Sequence, residues 1–362
     1  MRRLLNYAGV IGSIYLVLFS LIIPAYGSQK ANNISVTDQP WQEVVISVKD
    51  LEGIAAFFTE IGKYEVLWKG FADKSEISFL GVSTEINENV TAESLLLGHK
   101  KFSTGQIRLI KFNNAGKQKP MRPGGHAWDS GCYFSLMVRM KNIERIYENA
   151  IDLGWWTETP ITPLDFGTSK LKVVIFRGPQ GIQVQGYERL SPSLPETIPN
   201  FDILSAPFNI MQMVRNRDHS FKFFKEKLGF HTFYHGKPYV SKKPKPMPIG
   251  IPANITTQSR YVASIVSPKP GEFGRMEMIE TMDLKGYDFS KNCVAPNYGI
   301  LSVRFPVRDI KTTKQLLLKR GVNIDHESSK IYIPKLGLLD AVSINTPDGA
   351  RIEFYKPQQT TD

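Results

Sequence analysis

The stretch VKDLEGIAAFFTEIGKYEV (residues 48–66) reads as a strand end, a cap, an amphipathic helix and a closing glycine. Asp50 stands where an Asx carboxylate accepts from the free N–H groups of a first helical turn. Ile54, Phe57, Phe58 and Ile61 recur at helical spacing. Gly62 follows where a left-handed residue closes a helix. The unit returns three times, starting at Met140, Val214 and Val307. Its later caps are Asn142, Asn216 and Asp309, and its closing glycines Gly154, Gly229 and Gly321. The four starts are separated by 92, 74 and 93 residues, so copies one and three stand 166 apart and copies two and four 167 apart. That near-equality implies a two-module unit that was duplicated.

An alternating strand precedes each helix: EVVISV, SLMVRM, NIMQMV and SVRFPV. Strand-like runs follow, among them YEVLW and QIRLIKF, then KVVIFRG and IQVQGY, YVASIV and RMEMIE, and finally AVSINT and RIEFY. Each module therefore reads β-α-β-β-β. Pro306 inside a strand is tolerable at an edge or bulge.

The 362 residues suit two domains or one repeated domain, with enough apolar sequence for a sizeable core. The formal charge is +11, but the basic residues are scattered and no basic stripe interleaves with aromatics. Nucleic acid is thus a poor partner, and a solvated basic surface the better reading. At the N-terminus, Arg2 and Arg3 precede an uncharged apolar run that ends at Ala25-Tyr26-Gly27. This is the form of a signal peptide over residues 1–27, with cleavage after Gly27. The run is also long enough to span a bilayer, so a retained anchor is the alternative, and either way the globular part is exported to periplasm or exterior. Cys132 and Cys293 are the only cysteines; an oxidising compartment would permit them to pair, and too few are present for a zinc site. There is no Walker loop, Rossmann fingerprint, nucleophile elbow or HExxH motif.

The four openings and the closing NTPDGARIEFYK (345–356) resemble the vicinal oxygen chelate superfamily of glyoxalase I, extradiol dioxygenases and bleomycin-resistance proteins. The resemblance covers about residues 42–356. It implies an α+β fold of four βαβββ modules paired into two glyoxalase-like curved-sheet barrels. On that likeness, residues 42–188 form one domain of two modules, 189–204 a proline-rich linker and 205–356 the second domain. Each pair would enclose a cleft.

The resemblance also places ligands at the start of each first strand and on each last strand. Here those positions are Glu43, Ser135, Asn209 and Ser302, and Arg108, Gln185, Glu277 and Glu353, with Glu280 competing for Glu277. None is histidine, which argues against the ferrous dioxygenases, since imidazole is what suits that iron. In the N-terminal pair, Glu43 and Arg108 are expected to form an ion pair that either holds the barrel together or, with Ser135 and Gln185, binds substrate, Arg108 receiving an anionic group. In the C-terminal pair, Asn209, Glu277, Ser302 and Glu353 are all oxygen donors. Such a set suits Mg, Mn or Ca with Glu353 and Glu277 as ligands, or two carboxylates in acid–base work.

Two functions follow as expectations. One is an exported lyase or isomerase acting on a small oxygenated compound, with Glu353 and Glu277 moving protons and Asn209 and Ser302 positioning substrate. The other is a non-catalytic protein that binds and sequesters a small molecule, as bleomycin-resistance relatives do. A third arrangement would have both clefts filled by side chains. Outside the eight positions, His231 and His235 follow Gly229 and belong on a strand or loop, too far apart for one metal. His126 lies in a glycine-rich connection, read as a solvent-exposed loop histidine with reach over a cleft mouth as the alternative. Trp155 and Trp156 are read as core packing, with a cleft-lining ring as the alternative for one of them, and residues 239–258 as a long basic loop near a cleft mouth.

Overall fold

The computed structural model describes residues 34–358, apart from 86, 166 and 248. The expected leader lies outside these residues. Module one comprises β1 (Glu43–Ser47), α1 (Leu51–Ala56), β2 (Glu65–Phe71), α2 (Lys74–Phe79), β3 (Thr91–Gly98) and β4 (Gln106–Asn113). Module two comprises β5 (Ser135–Arg139), α3 (Ile143–Asp152), β6 (Thr162–Asp165), β7 (Lys170–Arg177) and β8 (Gln183–Ser191). In module three are β9 (Asn209–Met213), α4 (Arg217–Lys222), β10 (His231–His235), β11 (Tyr261–Ser267) and β12 (Arg275–Thr281). Module four runs through β13 (Gly299–Pro306), α5 (Ile310–Lys319), β14 (His326–Ile333), β15 (Gly337–Asn345) and β16 (Arg351–Pro357). Among the described residues no helix is long and apolar enough to cross a membrane.

All four expected caps are made. Asp50, Asn142, Asn216 and Asp309 accept from the backbone N–H of Gly53, Arg145, His219 and Thr312. The first and third helices each continue into a π turn, Phe57–Ile61 and Phe223–Lys227, whereas the second and fourth do not. This alternation supports the duplication of a two-module unit. It also explains one departure. Gly154, Gly229 and Gly321 take positive φ as expected, but Gly62 stays right-handed and Lys63 adopts φ 60° instead. A π turn absorbs one extra residue. Module three places its glycine one position later to match, and module one does not.

The strands form two eight-stranded sheets, ordered β14-β15-β16-β13-β1-β4-β3-β2 and β10-β11-β12-β9-β5-β8-β7-β6. Neighbouring modules therefore do not share a sheet within 42–188 or within 205–356. Module one pairs with module four through β1 and β13, with Glu43 opposite Arg304. Module two pairs with module three through β5 and β9, with Met137 opposite Asn209. The first sheet is closed by the two ends of the chain, and the second is nested inside it in sequence.

Strand alternation divides the residues between faces. Val44, Ile46, Leu136, Val138, Ile210 and Val303 point to the convex sides. There they merge with the four capped helices into one apolar core shared by both sheets, including the contacts Phe57–Trp155 and Phe230–Phe305. Trp155 is buried in that core, while Trp156 is half exposed beneath the Arg177 guanidinium. Cys132, just ahead of β5, and Cys293, ahead of β13, form a disulfide that joins the two sheets.

Candidate active site

The crossed pairing regroups the eight expected site positions. Glu43, Arg108, Ser302 and Glu353 share the concave face of the first sheet, and Ser135, Gln185, Asn209 and Glu277 that of the second. The sets expected from neighbouring modules are thus each split in two, and Glu353 and Glu277 belong to different clefts. Their joint role as metal ligands or as a paired acid and base has no geometric basis. Glu280 points elsewhere, accepting from the Arg217 N–H at the start of α4.

In the first cleft the expected ion pair is present. Arg108 holds Glu43 through two bonds, Nε to Oε2 at 2.9 Å and Nη2 to Oε1 at 2.8 Å, with both side chains fully buried. The centre of the cleft is a residue the sequence reading passed over. Arg304 donates Nε to Glu353 at 2.8 Å, Nη1 to Glu43 at 3.1 Å and Nη2 to Glu76 at 2.8 Å. Arg351 adds a bond from Nε to Glu353 at 3.2 Å. Three carboxylates therefore meet three guanidiniums. Burial alone would raise the carboxyls of Glu43 and Glu353, but Arg108 and Arg304 acting on the first, and Arg304 and Arg351 on the second, hold both below the usual range. Arg304 itself is raised by the three acids against its burial.

Glu76 comes from α2, which packs into this concave face with Ile77 and Phe79, while Arg351 donates to the Phe79 carbonyl. The first cleft is filled. A divalent cation does not fit there, because the fixed cation Arg304 already occupies the centre of the carboxylates.

The second cleft has the same plan without a guanidinium at its centre. Its floor carries Ser135, Met137, Gln185, Asn209, Met211, Met213, Glu277 and Ile279. Met137 stands opposite Asn209 where Arg304 stands opposite Glu43. Glu277 is buried with one described side-chain partner, Asn209 Nδ2 at 2.9 Å. Burial pushes its carboxyl up to about 7, although Asn209 and Arg275 pull the other way. The Oδ1 of Asn209 is buried without a partner. Gln185 donates to the Tyr187 hydroxyl at 2.9 Å. Tyr187 and Tyr261 are raised by burial and by the field of Glu277, so both remain hydroxyl donors at neutral pH.

The loop expected near a cleft mouth lies over this floor. Met247, Ile249 and Ile251 are buried against Met137, Met211 and Met213, together with Ala127 and Trp128 from the glycine-rich connection. His126 stacks on Trp128 at 4.8 Å, and its Nδ1 lies 3.6 Å from Glu158. It is a rim residue, not a ligand. His231 and His235 lie on β10, where His235 Nδ1 bonds Ser264 at 2.8 Å. One carboxylate, two amides and a hydroxyl offer a single negative charge. Hard divalent cations take six or more oxygen ligands, usually with more than one carboxylate. The donor set fits such an ion poorly, and among the described residues no group of three or more His, Cys, Asp or Glu stands ready for a metal.

The fold has counterparts among solved structures. Glyoxalase I from Zea mays aligns over 88% of this chain and 92% of its own, at 13% identity and a TM-score of 0.56. A mutant of the same enzyme aligns over 88% and 94%, at 14% identity and a TM-score of 0.57. The chain has the vicinal oxygen chelate fold. At this identity the likeness concerns the fold alone, since fold does not set chemistry. No protein-family model matches the sequence, and no curated protein matches it. Within a vicinal oxygen chelate fold, one cleft here is neutralised and plugged, and the other keeps Glu277 bonded to an amide where the first has a guanidinium.

Proposed function

We propose that the chain is an exported isomerase or lyase of a small oxygenated compound, working by proton transfer in the second cleft without a metal. The observation that carries this reading is Glu277, a buried carboxyl titrating near 7 beside an amide with an unpartnered oxygen. A base is most useful when its pKa lies near the working pH. Ionised Glu277 would take a proton from carbon next to a carbonyl. Tyr187, Tyr261 or the Asn209 amide would donate to the oxygen on which negative charge develops. The protonated carboxyl then returns the proton to the adjacent carbon, which isomerises the compound, or to a departing group. The overlying Met247–Ile251 segment would exclude water during these steps. Glu353, held below its usual range by two arginines, is assigned to the scaffold. The buried disulfide supports export to an oxidising compartment.

The test is proton exchange in heavy water with a panel of small 2-hydroxy ketones and 2-oxo acids, followed by NMR. Wild type is expected to incorporate deuterium into at least one compound, and Glu277→Gln to lose that incorporation. Incorporation that survives in Glu277→Gln overturns the assignment. Saturable binding with no exchange by either protein would favour a sequestering role.

A further inference from the structure

Beside Glu277 the second cleft contains a group of charges that the proton-transfer reading does not use. Arg275 lies two residues before Glu277 on β12 and so on the same face, about 7 Å along the strand. Arg139 ends β5 on the same concave face, in phase with Ser135 and Met137. Both guanidiniums converge on one carboxylate. Arg139 Nη2 lies 2.8 Å and Arg275 Nη2 3.0 Å from Oε2 of Glu272. Arg189 adds a third positive charge to the field of both.

The arginine side chains are buried to about nine-tenths or more, while Glu272, on the loop between β11 and β12, is 28% exposed. Arg139 Nη1 is buried with no hydrogen-bond partner. An unmade bond on a buried guanidinium is costly, and more so than for a neutral group. Stacking offsets some of that cost: the Arg139 guanidinium lies 3.9 Å from the Phe208 ring centre, and that of Arg275 3.7 Å from Phe233. Phe208 in turn meets Tyr187 edge-on at 6.0 Å. Tyr187 is the partner of Gln185, so an aromatic wall runs from the arginines to the floor around Glu277.

We propose that Arg139 and Arg275 form a subsite for an oxyanion, a carboxylate or a phosphate, carried by the small molecule whose other end meets Glu277. The partly exposed Glu272 is a stand-in that holds the guanidiniums until a ligand displaces it. Planar guanidiniums suit two-oxygen recognition of such groups. The orphaned Arg139 Nη1 supplies the bond that Glu272 leaves unmade. This inference rests on the second cleft as the working site, but not on the chemistry assigned to Glu277.

Calorimetric titration with benzoate and, separately, with inorganic phosphate tests it. Glu272→Gln is expected to bind one of the two at least about tenfold more tightly than wild type, because a competing negative charge is gone. Benzoate binding alone would make the subsite a carboxylate site, and phosphate binding alone a phosphate site. Arg139→Gln in the Glu272→Gln background is expected to lose the gain, and Arg275→Lys to weaken it should the first variant fold poorly. Glu277→Gln is expected to keep the binding, so loss of proton exchange there with retained benzoate affinity separates the two readings. No saturable binding of either anion to Glu272→Gln, or binding untouched by both arginine variants, overturns the proposal.

Discussion

At equivalent places in the two sheets, the first cleft presents Glu43 opposite Arg304 and the second Asn209 opposite Met137. From that substitution the rest follows. Arg304 draws Glu43, Glu76 and Glu353 into one ion-paired cluster, and α2 closes over it. Met137 offers Asn209 only a thioether, and Glu277 is left with no guanidinium bonded to it. A cleft in which each carboxylate is bonded to a fixed guanidinium makes a scaffold, because a ligand would have to break those ion pairs to enter. A cleft whose buried Glu277 is bonded to an amide in place of a guanidinium is less comfortable and more reactive.

The strongest blow to this contrast is Arg304→Met, which gives the first cleft the residue of the second. Three buried carboxylates then lose a shared cation, and the expected cost is at least about 3–5 kcal/mol. Chemical denaturation measures it; a loss below about 1 kcal/mol would mean the cluster is not what holds the first cleft together. Next comes the link between the sheets. Replacing Cys132 and Cys293 by serine opens a loop with a sequence separation of 161 and is expected to cost about 2–5 kcal/mol. Melting that stays a single transition would show that the shared convex core alone couples the sheets.

Third, the two clefts impose opposite pH slopes. The depressed acids of the first contribute stability that is present above their unfolded values and is lost as pH falls through the folded ones. Glu277 acts the other way, since its folded carboxyl is raised from 4.5 to about 7. Its ionisation erodes stability as pH climbs between those values, by roughly 3 kcal/mol at most above pH 7. Glu277→Gln should remove that decline and be the more stable protein at pH 8, as urea titrations at pH 5 and 8 would read. Met137→Arg is the matching swap. A guanidinium beside Glu277 should lower its carboxyl and abolish the near-neutral titration, visible by NMR of the side-chain carboxyl carbon. The smallest effect is expected at a cap far from either cleft: Asp309→Ala should cost about 1 kcal/mol in the same denaturation assay.

Much of this architecture was legible because it is written locally. Caps, apolar helical spacing and period-two strands are read within a dozen residues, and all four helices stand where Asp50, Asn142, Asn216 and Asp309 place them. The partner of each sheet was not legible. Pairing β1 with β13 is a contact between distant segments, and either pairing of modules satisfies the same local pattern. That error regrouped every site residue. Arg304 was within reach, lying two residues beyond Ser302 on an alternating strand and hence on the same face. So was α2, whose Asp73 and Glu76 have the spacing of a capping box. The raised carboxyl of Glu277 was not, because it comes from burial, which depends on how distant segments pack over the strand.

The crossed strand order also dictates a sequence of events as the chain is made. The inner sheet has all its strands once module three has been synthesised. The outer sheet cannot close until β13 appears, because β1 waits for a partner about 260 positions downstream. Such long-range closure slows folding and leaves a strand edge open meanwhile. Until then module one can rest its helix on module two through Phe57 and Trp155 and pair β1 with β4, but the other edge of β1 stays open until the last module arrives.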